Sequence, residues 1–312
     1  MKKITIFDTS ICSSNLGDQV IMEAVEKILN SLFKSDFFIK IQTHDVIGKS
    51  SYKSIQNSDY AIVGGTNLLS SNMNSYNQWK ISLLDSFFIK SVILMGVGWW
   101  QYQKTPNLYT GILYRRVLHK EYLHSVRDNY TKQQLESIGF KNVVNTACPT
   151  MWSLTEEHCA DIPRRKTDSV LVTFTEYNQN KEFDFKLIEI LKENYKNIYF
   201  WIQQPKDYDH MYSIYGDNAI YINPSLQALD EVLNLDIDYI GTRLHAGVRA
   251  LQRKKRSLIL AVDNRAIEIS KDTNLPVVPR NDWEGIKNWI DSANATHIQL
   301  PWDNINQWKK QF

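Results

Sequence analysis

Cysteine is scarce in this chain, and so are proline, glycine and net charge. Three cysteines (Cys12, Cys148 and Cys159) in 312 residues cannot build a disulfide framework, and none sits at a paired metal-ligand spacing. That usage fits a reducing compartment. Prolines number eight and glycines twelve, and the chain has no low-complexity segment and no long repeat. No apolar run reaches the roughly 18 residues needed to span a bilayer. The stretch Met1–Asp8 alternates like a strand and has no signal-peptide core. A cytoplasmic location is therefore expected, with peripheral contact at the inner face of the membrane left open. A formal net charge of +2 gives no basis for a nucleic-acid partner. The one dense basic run, Arg253-Lys254-Lys255-Arg256, reads as a solvated helix end.

What is present is an ordinary globular composition, 43% hydrophobic and 22% charged, long enough for two cores. The first half alternates strands with helices. Strands are expected at Ile4–Phe7, Phe37–Gln42, Tyr60–Val63, Val92–Val97, Tyr122–Val126 and Val143–Thr146. A helix from about Gln19, capped by Asp18, carries Val20, Ala24, Ile28 and Leu32 at helical spacing. Thr131 with Gln134 reads as a capping box, and Gly139 as that helix's stop. Between Cys148 and Thr167 the pattern lapses, which suggests a linker. A second series follows, with strands at Ser169–Phe174, Ile198–Ile202, Ala219–Ile222, Asp238–Gly241 and Ser257–Val262. Its helices fall at Phe183–Asn194, Ser225–Leu233, from His245, and at Trp283–Ser292. Such alternation predicts an α/β fold with two Rossmann-like domains of mostly parallel sheet. The expected division is 1–150, a linker 151–168, a second domain 169–300, and a tail helix 301–312 returning to the first domain. A cleft between two sets of strand ends is where a donor and an acceptor could meet.

The polar and glycine-rich stretches fall at the carboxyl ends of these strands. In Asp238–Val248 a buried strand runs into a small-residue helix, with Arg243 and His245 at its mouth. Backbone N–H groups there attract anions, Arg offers a planar fork of donors, and His carries a proton near neutral pH. Arg249 lies one turn on, facing either the same ligand or solvent. Asn15-Leu16-Gly17-Asp18 reads as a ligand-binding helix mouth, a plain cap, or both. Gly64-Gly65-Thr66 and Gly96-Val97-Gly98 give room beside the backbone for a ligand or for a tight turn. Neither matches the dinucleotide fingerprint, so no nicotinamide cofactor is expected. Arg127 leaves the sheet beside Asp128, as a cleft residue or a local ion pair. Trp99, Trp100 and Trp201 offer flat faces suited to sugar rings, or to packing. Asp236 and Asp238 precede their strand, at the wrong end for a site, and the histidines have no zinc spacing; no metal is expected.

Taken in order, Asn15–Asp18, Gly64–Leu69, Ser125–Asp128, Thr242–Ala246 and Ile259–Asp263 resemble the polysaccharide pyruvyl transferase family over most of the chain. The resemblance implies two Rossmann-like domains in a GT-B-like arrangement. It implies transfer of the enolpyruvyl carbons of phosphoenolpyruvate onto two hydroxyls of one sugar, giving a pyruvate ketal in bacterial surface polysaccharide synthesis. It also implies donor binding and proton transfer at Arg127, Arg243 and His245, with no cofactor besides the donor. The partners would be phosphoenolpyruvate and a saccharide acceptor, lipid-linked or not; oligomeric state is not indicated. The chain departs from the family pattern at Cys148, where Asp is usual, at Thr66, where glycine is, and at Asn264-Arg265, where Lys is. Two rivals stay open: a nucleotide-sugar glycosyltransferase of the same shape, with Asp263 on the ribose, and a non-catalytic saccharide-binding member.

Overall fold

The computed structural model describes residues 1–312, leaving aside the side chain of Asn218. Contacts divide these residues into two units. The first comprises 1–13, 21–149 and 300–312, and the second comprises 14–20 and 150–299.

In the first unit, β1 (Lys3–Asp8) leads to α1 (Leu16–Leu32), β2 (Phe37–Gln42), α2 (Lys49–Gln56), β3 (Tyr60–Gly64) and β4 (Val92–Met95). Then come α3 (Leu108–Val117), β5 (His124–Val126), α4 (Asn129–Glu136) and β6 (Val143–Asn145). The strands form a parallel sheet in the order β2-β1-β3-β4, with β5 and β6 as a parallel pair. A bridge between Val97 and Val126, and Gly96 N donating to Ser125 O at 2.9 Å, continue the sheet from β4 to β5. The resulting order, 2-1-3-4-5-6, reverses direction between β1 and β3. In such sheets a ligand crevice opens at that reversal, beyond the carboxyl ends of the strands. β1 is buried on both faces, as a central parallel strand must be.

The second unit begins with α5 (Glu156–Ala160) and β7 (Ser169–Thr173), then α6 (Lys181–Asn194), β8 (Asn197–Trp201), α7 (Pro205–Tyr215) and β9 (Ile220–Ile222). It continues through α8 (Leu226–Val232), β10 (Asp238–Gly241), α9 (Leu244–Gln252), β11 (Ser257–Ala261), α10 (Asn264–Thr273), β12 (Val277–Pro279) and α11 (Trp283–Asp291). All six strands are parallel, ordered β9-β8-β7-β10-β11-β12. Numbered within the unit this is 3-2-1-4-5-6, the doubly wound Rossmann order, with its reversal between β7 and β10. The last helix, α12 (Trp302–Lys309), belongs to the first unit, where the Trp308 indole donates to Leu94 O at 3.1 Å.

Several local expectations are corrected. Residues 14–20, expected in the first domain, cluster with the second unit. The first helix starts at Leu16, so Asp18 lies in its first turn; the cap is Asn15, whose Oδ1 accepts from Gly17 N at 3.0 Å. Asp128, not Thr131, caps α4, accepting from Thr131 N at 2.7 Å and from its hydroxyl at 2.6 Å. The fourth strand stops at Met95 because Gly96 turns to φ 64°. The expected linker holds a short helix, α5, capped by Thr155.

Candidate active site

In the second unit the reversal point lies between β7 and β10, and the chain leaves both strands through polar residues. Thr242 N donates to Thr173 O at 2.9 Å, and the Thr175 and Thr242 hydroxyls meet at 2.8 Å. Arg243 is the N-cap of α9, and an Arg side chain cannot accept a bond from the helix N–H groups. His245 follows in the first turn, 7% exposed. Small residues pack α9 closely on the sheet: a Cβ on Gly247 would meet Ile259 at 2.5 Å. The mouth of this helix is therefore a fixed feature of the switch point, with positive backbone character.

Arg243 is not an unengaged clamp there. Its Nη2 pairs with Asp207, its Nε donates to Phe174 O at 3.1 Å, and the Tyr177 ring lies 5.3 Å from Cζ. Asp207 is fully buried at the start of α7, where it also accepts from Glu176 N at 3.2 Å and Gln204 N at 3.0 Å. Burial pushes its carboxyl above the ordinary carboxylate value, against the pull of Arg243 and those donors. The pair fixes the guanidinium and cancels its charge. Tyr239, buried behind it, donates to Arg243 O at 2.7 Å, and burial pushes its phenol up so that it keeps its proton.

In the first unit, Arg127 leaves β5 with 1% exposure. Its Nε reaches Asp128 at 3.2 Å, but Nη1 and Nη2 are buried without a hydrogen-bond partner. Gly98 makes the space for this group, since a Cβ there would stand 2.4 Å from Cζ. A buried guanidinium with two unused nitrogens is costly, and such groups call for a reason. Other unpartnered buried oxygens in this unit also follow strand carboxyl ends: Thr9 Oγ1 after β1 and Asn67 Oδ1 after β3. Thr66, the residue in place of a usual glycine, holds φ 50°. That conformation is strained for a β-branched residue.

The other expected site residues are mostly accounted for by packing. Room beside Gly64 and Gly65 is filled by α1: an added Cβ would meet Val25 at 2.8 Å and Ile21 at 2.1 Å. Gly17 lets Gln203 approach, 2.8 Å from where a Cβ would stand, and Gln203 Nε2 donates to Asn15 at 2.7 Å. Asp18 is buried, 5% exposed. Arg249 makes a two-point ion pair with Asp230, at 2.8 and 2.7 Å, and Arg253 shares that carboxylate. Trp99 and Trp201 are fully buried, so neither face meets a sugar. Their indoles donate to Gln103 at 3.0 Å and Ser225 O at 3.3 Å. Trp100 is half-buried, with one face stacked on Tyr76 at 4.0 Å. Asp263 caps α10 and pairs with Arg265. Among the described residues no three His, Cys, Asp or Glu side chains gather as a metal-ligand group.

Sequence reasoning missed Asp207 because it missed α7. The signal was present: Pro205 at the first helical position, between Gln204 and Asp207, which close a capping box. It also missed a buried cluster beside it, where His210 Nε2 meets Asp184 at 2.8 Å and Arg280 meets the same carboxylate at 2.6 Å.

Comparison with known proteins agrees with this architecture. None of the curated proteins matches the sequence. Among solved structures, S. aureus MnaA with UDP has a TM-score of 0.52 at 16% identity, covering 95% of this chain and 92% of that one. At that identity the likeness is one of fold. UDP-GlcNAc 2-epimerase from Neisseria meningitidis, bound to UDP-GlcNAc, gives 0.49 at 15% identity, covering 100% of this chain and 98% of that one. The polysaccharide pyruvyl transferase family model matches residues 15–264, a span running from the Asn15 cap through both switch points to the start of α10. The chain belongs to the polysaccharide pyruvyl transferase family.

Proposed function

We propose that this protein transfers the enolpyruvyl carbons of phosphoenolpyruvate onto two hydroxyls of one sugar, forming a pyruvate ketal in bacterial surface polysaccharide synthesis. The observation that carries the reading is Arg127, a buried guanidinium with two unused nitrogens beside a glycine, at a strand's carboxyl end. The donor is an anion of about three charges near neutral pH, and a planar fork suits either its phosphate or its carboxylate. Asp207 pairs with Arg243 and Asp128 with the Arg127 Nε, so what Arg127 offers an anion in this reading is its two unused nitrogens. Arg243 then serves as a rigidly held donor of hydrogen bonds.

The reaction needs a proton on the donor's methylene carbon. His245 supplies it, leaving an oxocarbenium-like centre at C2. One sugar hydroxyl attacks that carbon and gives its proton to the imidazole, restoring the imidazolium. The second hydroxyl displaces phosphate, which leaves carrying the second proton. A positioned acid or base of this kind contributes about 10² to 10⁴-fold. No cofactor beyond the donor enters this scheme.

Calorimetric titration with phosphoenolpyruvate, UDP-sugars and GDP-sugars tests the reading. Binding of phosphoenolpyruvate that weakens in Arg127→Met is the expected result. Binding of a nucleotide sugar alone would assign the chain to sugar-nucleotide chemistry instead.

A further inference from the structure

We propose that a face of the first unit, formed by the turn 84–88 and helix α3, docks on an anionic lipid bilayer. Leu84, Phe87 and Phe88 are 75%, 58% and 48% exposed within the five residues of that turn. The turn is tied to α3, since Leu83 N donates to the Tyr109 hydroxyl at 3.1 Å and Arg116 Nε donates to Ser86 at 2.9 Å. On α3, Leu108 and Ile112 are 76% and 37% exposed, one turn apart, and Arg116 continues their stripe. Two segments thus present one apolar patch. A soluble surface rarely leaves such side chains together without a partner.

The chemistry beside the patch selects the partner. Next to it lies an open recess of about 600 Å³ lined by Lys90, Arg115, Arg116 and Lys120, with Glu121 as its only carboxylate. Lys90 and Lys120 have no ion-pair partner among the described residues. The nearby Asp85 is committed to the Tyr52 hydroxyl and to Ser82. Protein interfaces are depleted of Lys at their cores, whereas a bilayer surface takes apolar side chains and lysines side by side. The aromatic rings are held in place, Phe88 stacked on Tyr52 at 5.0 Å and Phe87 under the Arg116 guanidinium at 4.3 Å. Little ordering entropy is then lost on insertion. No helix among the described residues is long and apolar enough to cross a membrane, so this contact is peripheral. The inference does not depend on the proposed reaction.

Sedimentation of the full chain with vesicles tests it, using phosphatidylcholine alone and phosphatidylcholine with phosphatidylglycerol. Binding is expected to the anionic vesicles only, and to weaken as salt rises. Leu84→Ser with Phe87→Ser should weaken it at least about tenfold. Lys90→Glu with Lys120→Glu should weaken it about 25-fold or more, at about fivefold per cation. All four positions are exposed, and the wild-type comparison decides the question even if one variant misfolds. Equal binding to both vesicles, no binding, or variants that bind like wild type would overturn the proposal. So would self-association of the wild type that Phe87→Ser abolishes, since it would assign the face to a second copy.

Discussion

Replacing Arg127 by Met should leave the protein's stability nearly unchanged while weakening phosphoenolpyruvate binding. The buried guanidinium leaves Nη1 and Nη2 unpaired, and each unsatisfied donor costs roughly 1–3 kcal/mol. Its one contact, Nε to Asp128 at 3.2 Å, is long and off the strong end of such bonds. Asp128 keeps the bonds that its Oδ1 accepts from the amide and the hydroxyl of Thr131, but its Oδ2 loses the guanidinium. Methionine fills much of the same channel over Gly98 with apolar atoms. Removing one partner of a buried ion pair typically costs about 3–5 kcal/mol, which offsets the roughly 2–6 kcal/mol recovered from the two unpaired nitrogens. A net change within about 2 kcal/mol is expected here. The assay is urea unfolding of the full chain followed by tryptophan fluorescence. Because two units unfold, the midpoint is the quantity to compare. A midpoint within the equivalent of about 2 kcal/mol of wild type, together with loss of phosphoenolpyruvate binding, is the predicted pair of results. A fall equivalent to more than about 2 kcal/mol would refute the reasoning and make Arg127 a structural strut.

Three further outcomes follow from the geometry. Gly98→Ala places a methyl 2.4 Å from the Arg127 Cζ, so the guanidinium must move; kcat/KM should fall by about 100-fold with circular dichroism unchanged. Asp207→Ala strands the Arg243 charge and removes the α7 capping box, and should cost about 3–5 kcal/mol in urea unfolding, with Asp207→Asn costing less. His124 gives a pH dependence. Its Nδ1 accepts from Leu94 N at 3.2 Å and its Nε2 faces His119 O at 2.8 Å, so the ring is held neutral. Burial lowers its pKa to about 4, from an ordinary 6.5. Between these values the unfolded chain binds the proton and the folded chain does not. Stability is therefore present in full above pH 6.5 and is lost as pH falls toward 4, by about 3 kcal/mol. His124→Gln should flatten that slope, and an NMR titration should show the ring still mostly neutral at pH 5.

Elements buried on both faces were the most legible in the sequence. The central strands β3 and β4 are near-continuous apolar runs, and glycine marks where each ends. Helices with a narrow buried face were not. In α10 only Asn264, Ala266, Ile269 and Thr273 are buried, too polar a set to read as a core stripe. The tryptophans show the limit for site residues. A large aromatic at a strand end suits a sugar or a core equally, and only the packing around Trp99 and Trp201 decides for the core. Glycines behave the same way, since Gly64 and Gly65 serve α1 while Gly98 serves Arg127. The strand-to-helix position of Arg243 and His245 was legible because it is local in sequence; its partner Asp207 comes from 36 residues away.

The central claim is most directly tested by the products of the reaction. Incubation of the protein with phosphoenolpyruvate and a panel of saccharides, followed by phosphate assay and proton NMR, reports both halves of the transfer. The account predicts that phosphate appears in step with a new ketal methyl signal, and that both vanish in His245→Ala. Ketal formation that persists in His245→Ala, or phosphate release without any new methyl signal, would contradict it.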